Sequence, residues 1–267
     1  MDFTRSVETG GLIITAMARV RSNVQPNSIP AGIFLALLAT SGLLACLFAA
    51  PQDDPWRKPR EAMVRQQLRD VSDPRVLDAL RTIPRHLFVP PEQQAQAYDD
   101  HPLPIGSGQT ISQPYIVAKM TELLRLKKDD RVFELGTGSG YQAAVLSRLV
   151  KEVYTVEIFD ELGQSARQRL KRLGYSNVEV KVGDAYYGWP EKAPFDAIIV
   201  TAAANHIPPP LIQQLKPGGR MVIPIGTVFQ VQNLLLVEKG RTEKDLKIHN
   251  IMPVLFVPLL GGHEESR

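Results

Sequence analysis

The chain has 267 residues, room for one large domain or two small ones, and its 44% hydrophobic and 22% charged composition excludes a disordered or fibrous protein. A net charge of +3, with no basic run interleaved with aromatics, argues against a nucleic-acid partner. Cys46 is the single cysteine and the five histidines form no HxxxH pair, so a disulfide framework, a CxxC site and a zincin-type metal site are excluded, and no metal is expected.

The chain divides near residue 55. Residues 31–50, AGIFLALLATSGLLACLFAA, carry no charge, and 20 residues is the length that crosses a bilayer core as a helix. Pro51 and Pro55 end any helix there. The segment reads as an uncleaved anchor, a secretory signal, a lipoprotein signal around Leu43-Leu44-Ala45-Cys46, or a gene model extended upstream. Arg57, Lys58, Arg60, Arg65 and Arg69 follow it, against Arg19 and Arg21 in a similar window before it, which favours an anchor with the C-terminal part inside. The expected organisation is an N-terminal extension, 1–55, and one α/β domain, 56–267. That domain is expected to be cytoplasmic and monomeric, with membrane association through 31–50 if that segment is an anchor. Export to the periplasm is the alternative.

Apolar spacing predicts helices over 60–68 and 74–82, the second opened by Asp73 as N-cap and Pro74 at the first helical position. A further helix is expected over 113–126, with Pro114 near its start. Strand and helix then alternate. Strands are expected at 131–135, 153–157, 178–184 and 195–202, with helices at 141–150, 160–173 and 210–215. KPGG, 216–219, reads as a turn before a strand at 220–226. Two late strands, near 233–239 and 254–258, are expected to form a hairpin-like edge. The pattern predicts a Rossmann-like, doubly wound, mostly parallel sheet.

Glu134-Leu135-Gly136-Thr137-Gly138-Ser139-Gly140 lies at the first strand-to-helix junction. Glycine is required where the backbone turns sharply and a ligand approaches the main chain. The spacing is GxGxG, with Tyr141 where the dinucleotide fingerprint has its third glycine, and no GK[ST] follows, so neither a pyrophosphate nor a triphosphate is expected. Glu157 ends the second strand, where a carboxylate accepts from the two hydroxyls of a ribose. Asp184, before Ala185, ends the third, where it can accept from an adenine amino group. A nucleoside site without a phosphate cradle points to S-adenosylmethionine. A short-chain dehydrogenase is the rival, but its Tyr-x-x-x-Lys is matched by Tyr115 and Lys119 alone, which precede the loop. Tyr141 and Phe159 are further candidate cofactor neighbours. His206 sits near the ligand edge as a candidate substrate contact or a solvated loop residue. His86, Trp56 and Trp189 read as packing residues.

GSGQTISQPY (106–115) followed by VAKMTELL, then RVFELGTGSGYQAAVLSRLV, APFDAIIVTAA, Ile207-Pro208 and FVPL, resemble the protein-L-isoaspartate O-methyltransferase family over about residues 60–260. Leu255 departs from the pattern, since bacterial members often carry a basic residue there. The resemblance implies a class I methyltransferase. It would transfer a methyl group from S-adenosylmethionine to the α-carboxyl of L-isoaspartyl residues in damaged proteins, whose ester collapses to a succinimide. It further implies Ser112 as the active-site residue, with Thr110, Ile111 and Gln113 beside cofactor and substrate. Gly136, Thr137, Gly138, Gly140, Glu157, Asp184 and Ala185 would hold the cofactor. Two alternatives are another methyltransferase using the same donor and a catalytically silent binding module.

The chemistry explains why no Ser-His-Asp or Cys-His constellation is present. A carboxylate of pKa near ~4 is already ionised at neutral pH, so the reaction needs alignment rather than a base. Ser112 therefore reads as a donor that orients the carboxylate. Its structural alternative is a cap on the 113–126 helix.

Overall fold

Val132, Phe133, Glu134 and Leu135 are consecutive and all buried, which is the signature of a strand covered on both faces. The computed structural model describes residues 54–227 and 230–261, and within them this segment is an interior strand of a seven-stranded sheet. In chain order the larger elements are α1 (Arg57–Gln67), α2 (Pro74–Thr82), β1 (Leu103–Gly106), β2 (Gln109–Ile111), α3 (Pro114–Leu123), β3 (Arg131–Leu135) and α4 (Tyr141–Ser147). They continue as β4 (Glu152–Glu157), α5 (Asp160–Arg172), β5 (Val178–Val182), β6 (Phe195–Val200), α6 (Pro209–Gln214), β7 (Leu215–Ile225), β8 (Gln232–Lys239) and β9 (Leu246–Val254). The apolar segment 31–50 lies outside the described residues. Among the described residues no helix is long and apolar enough to cross a membrane.

The sheet order is β5-β4-β3-β6-β7-β8-β9. Strands β3 to β7 pair in parallel, and β8 and β9 add antiparallel edges. The chain winds outward from β3 through β4 to β5, then crosses back to β6. The order therefore reverses between β3 and β6, and open sheets of this kind bind ligands at that switch point. β1 and β2 form a separate two-stranded hairpin.

Alternation along the strands splits the core in two. Val132, Val153, Ala197 and Ile199 face the layer of α1 to α4, with Met63, Leu80 and Val145. Phe133, Leu135, Phe195 and Ile198 face the other layer, with Leu211 and Trp189. Phe133 and Phe195 stack with ring centroids 5.2 Å apart across adjacent strands.

The local readings hold where the pattern is local. Asp73 accepts from the Arg75 amide with Pro74 at the first helical position. Trp189 is buried against Tyr154, and Trp56 stacks on His86, whose Nδ1 pairs with the Tyr98 hydroxyl at 2.8 Å. Two expectations are corrected, and one segment had carried none. The last strand is Leu246–Val254 rather than 254–258, because β9 pairs residue by residue with β8 and leaves FVPL as an extended strap. KPGG is a bulge inside β7, where the β6–β7 register shifts between Phe195 and Ala197. The GSGQTI segment is a hairpin, which its glycine-rich sequence concealed.

Candidate active site

The glycine loop leaves the C-terminal end of β3 at the switch point. Gly136 has φ +91°, and a Cβ there would run into the Thr201 hydroxyl that follows β6. That hydroxyl donates to the carbonyls of Leu135 at 2.9 Å and Gly136 at 2.7 Å, so it fastens the loop to the neighbouring strand. Gly138 has φ +52°, and a Cβ there would sit 3.3 Å from Ile105 on the β1–β2 hairpin. The loop is thus held between β6 on one side and the hairpin on the other.

Glu157, at the end of β4, is buried at 4% exposure. Its Oε2 accepts from the Gly138 amide at 2.7 Å and its Oε1 from the Phe159 amide at 3.1 Å. Two backbone bonds fix the carboxylate and still leave lone pairs, because an ionised carboxylate offers about four acceptor sites. The residue can therefore hold a diol while bracing the loop.

These elements border one cleft of about 760 Å3, its open mouth included. Of the residues expected at the site, Thr110, Ile111, Ser112, Gly136, Thr137, Gly138, Glu157 and Ala185 line it, as do Tyr141 and Phe159. Ser112 is half-buried. It does not cap α3: the N-cap position is Gln113, and the helix amide of Tyr115 is received by Asp100 Oδ1 at 3.1 Å. The Ser112 hydroxyl takes no hydrogen bond among the described residues, so its donor is available to a ligand.

Three expected residues lie outside the lining. Gly140 packs against Leu170 and Ala166 of α5, and its φ of +86° serves the turn into α4. Gln113 points to Asp100 Oδ2 at 3.4 Å. Asp184 accepts from the Tyr186 amide at 2.9 Å, capping a single 3₁₀ turn, and abuts Gly261 of the C-terminal strap. His206 is exposed beyond the rim, its Nε2 3.0 Å from the Tyr186 hydroxyl.

Sequence reading missed two features. The far wall is built by Val257 to Leu260 with Thr201 and Ala202. This strap is stitched to the loop after β6 by Ala203, whose amide donates to Val257 O and whose carbonyl accepts from Leu259 N, both at 2.8 Å. The FVPL resemblance was its one signal. Beneath the loop, Glu134 is fully buried and neither carboxyl oxygen makes a well-formed hydrogen bond among the described residues, the Thr155 hydroxyl being only a weak partner. Burial pushes its pKa up to about 8, the nearby Glu157 charge adds to this, and the Thr155 hydroxyl offsets a part. Thr155 itself pairs with Thr137 at 2.7 Å, which ties β4 to the cleft-lining loop. Tyr141 backs the cleft with the buried Arg85 guanidinium 4.9 Å from its ring centroid, and burial pushes Arg85 down to about 10.

Among the described residues no cluster of His, Cys, Asp and Glu could hold a metal ion. The nucleoside site does fit its residues: a glycine loop with no side chain at Gly136 and Gly138, a fixed carboxylate with spare lone pairs, and apolar lining from Leu135, Val156 and Leu259.

Comparison with known proteins places these features in one group. A family model described as protein-L-isoaspartate(D-aspartate) O-methyltransferase matches residues 58–264. A protein-L-isoaspartate O-methyltransferase 2 from Syntrophobacter fumaroxidans is 53% identical over 246 residues, covering 87% of this chain and 98% of the relative. A protein-L-isoaspartate O-methyltransferase 1 from Nitrosospira multiformis is 62% identical over 188 residues, covering 70% of this chain and 79% of its own. A solved protein-L-isoaspartate O-methyltransferase superposes with a TM-score of 0.68 at 32% identity, over 77% of this chain and 66% of that one. A Plasmodium falciparum structure described as belonging to the same group, in complex with S-adenosyl-L-homocysteine, shares the fold with a TM-score of 0.64 at 24% identity, over 76% of this chain and 97% of that one.

Proposed function

The chain belongs to the protein-L-isoaspartate(D-aspartate) O-methyltransferase family, and we propose on that premise that it is a protein-repair enzyme. It transfers a methyl group from S-adenosylmethionine to the α-carboxyl of L-isoaspartyl residues in damaged proteins. The observation that carries this reading is convergence: the hairpin with Ser112, the glycine loop and Glu157 border one cleft at the switch point.

The donor, when bound, supplies a methyl carbon already activated by a positive sulfonium. The chain's own residues bind, align and exclude water. Glu157 takes the ribose hydroxyls, and Gly136 and Gly138 allow the ligand to lie against the loop backbone. Thr110, Ile111 and Thr137 line the same wall, with Ala185 and Phe159 at the base end. Ser112 donates to the substrate carboxylate and fixes which lone pair faces the methyl carbon. The carboxylate is ionised at neutral pH, so no residue has to remove a proton. What remains is proximity, for which a positioned encounter at about 3 Å is the main source of acceleration. Leu135, Val156 and Leu259 keep bulk water from the donor.

The test uses the full chain, methyl-labelled S-adenosylmethionine and two peptides that differ in one L-isoaspartyl or L-aspartyl linkage. Label entering the isoaspartyl peptide alone, as a base-labile ester, is the expected result. Equal labelling of both peptides, or of neither with donor binding intact, overturns the reading.

Supply of the donor favours a cytoplasmic catalytic domain, acting as a monomer and tethered if 31–50 is an anchor. Activity confined to a periplasmic extract would overturn this placement.

A further inference from the structure

We propose that Asp100 is a positioning residue, the latch that holds the β1–β2 hairpin over the glycine loop and thereby aligns Ser112. The inference rests on the assignment of Ser112 as the group that orients the substrate.

Asp100 is exposed, yet both of its carboxylate oxygens are used. Oδ1 accepts from the Tyr115 amide at 3.1 Å and Oδ2 from the Gln113 side chain at 3.4 Å. These two contacts lie just past Ser112. Between Asp100 and Ser112 runs the hairpin, so one carboxylate ties the two ends of a twelve-residue flap together. An aspartate accepting a helix amide serves as an N-cap from outside the helix, and Gln113 at the cap position makes no such bond itself.

The post that carries Asp100 is fixed from the interior. Arg85 Nε donates to the Ala97 carbonyl at 2.7 Å, and Gln67 Nε2 donates to the Tyr98 carbonyl at 2.9 Å. Ala97 and Tyr98 are both buried. The tip of the flap is held more lightly than its two strands, which Leu103 and Ile111 anchor in the core. Gly106, Ser107 and Gly108 at its tip all have positive φ, and Gly106 and Gly108 are clear of their surroundings. The flap's inward contacts are Leu103 and Ile111, both buried in the core, and Ile105, facing Gly138. Local opening of such a segment costs far less than global unfolding, so a bond at its base sets how often it lifts.

The experiment compares full-length wild type with Asp100→Ala and Asp100→Asn. Asparagine keeps an oxygen for the Tyr115 amide, and its nitrogen can face a rotated Gln113 amide. Amide exchange read by mass spectrometry should rise about tenfold over residues 106–113 in the alanine variant, with β3 and β6 unchanged. Its kcat for the isoaspartyl peptide should fall about tenfold, the rate equivalent of one lost hydrogen bond, with KM for the donor within about twofold. Asparagine should restore both. Unchanged exchange and turnover in Asp100→Ala would overturn the proposal, as would an asparagine variant as impaired as the alanine one. Faster exchange throughout the sheet would also overturn it, by making Asp100 a residue of general stability. A wild type that methylates no isoaspartyl peptide overturns the functional reading and not the latch, which the exchange measurement decides by itself.

Discussion

Glu134→Gln should make the protein more stable at alkaline pH while changing little at acid pH. Glu134 is fully buried on β3, and neither oxygen makes a well-formed hydrogen bond among the described residues, with the Thr155 hydroxyl only a weak partner. Burial raises its pKa from an ordinary 4.5 to about 8. Between those values the folded protein keeps the proton and the unfolded chain does not. The folded state then binds more protons, so stability falls as pH rises. Its contribution is fully present below pH 4.5 and is lost progressively up to about pH 8. The slope is about 1.4 kcal/mol per pH unit, which comes to roughly 4 kcal/mol between pH 5 and pH 8. Glutamine is nearly isosteric and does not titrate, so it removes this slope and leaves every other titration in place. Urea unfolding of both proteins at pH 5, 6, 7 and 8 reads the difference directly, and the slope of free energy on urea should match between them. A difference that stays within about 1 kcal/mol across the range would refute the reasoning, because it would mean that Glu134 enters the folded state already ionised.

Ser112→Ala should lower kcat for an isoaspartyl peptide by about 10²-fold, as for loss of one positioning donor, with donor affinity by calorimetry unchanged. Glu157→Gln removes the charge from bonds to the Gly138 and Phe159 amides as well as from the proposed diol contact. Its donor affinity should weaken by about 10- to 100-fold in the same titration, and equal affinity would sink the assignment of the ribose site. Gly136→Ala places a Cβ against the Thr201 hydroxyl at φ +91°. It should cost about 1–3 kcal/mol in unfolding measurements and abolish tight donor binding, whereas a variant of native stability and affinity would show that the loop is not closely held.

How much of this was legible in the sequence depends on the range of the interaction. RVFEL and VYTVE read as strands from their place in the strand–helix alternation, and FDAIIVTA as one covered on both faces because it is nearly all apolar. The Asp73-Pro74 cap and the glycine loop were equally plain, since each is a statement about a few adjacent residues. Gly140 and Asp184 carry the right residue types at the right strand ends, yet the first packs on α5 and the second caps a 3₁₀ turn. Their neighbours in sequence, Gly138 and Ala185, line the cleft instead. Side-chain direction at a strand end turns on one or two backbone dihedrals that no local pattern specifies.

The sequence by itself determined the fold class, the order of elements and the family, because hydrophobic period, turn chemistry and motif spacing are local and additive along the chain. Tertiary structure alone decided that the strap at 257–260 closes the far wall and that Thr201 fastens the loop leaving a different strand. It alone placed Asp100, rather than Ser112, on the amide of α3, and buried Glu134 in the core with no well-formed hydrogen bond among the described residues. Each of these depends on segments far apart in the chain arriving within hydrogen-bond distance, and that is set by how the sheet winds outward from β3 and crosses back at its switch point.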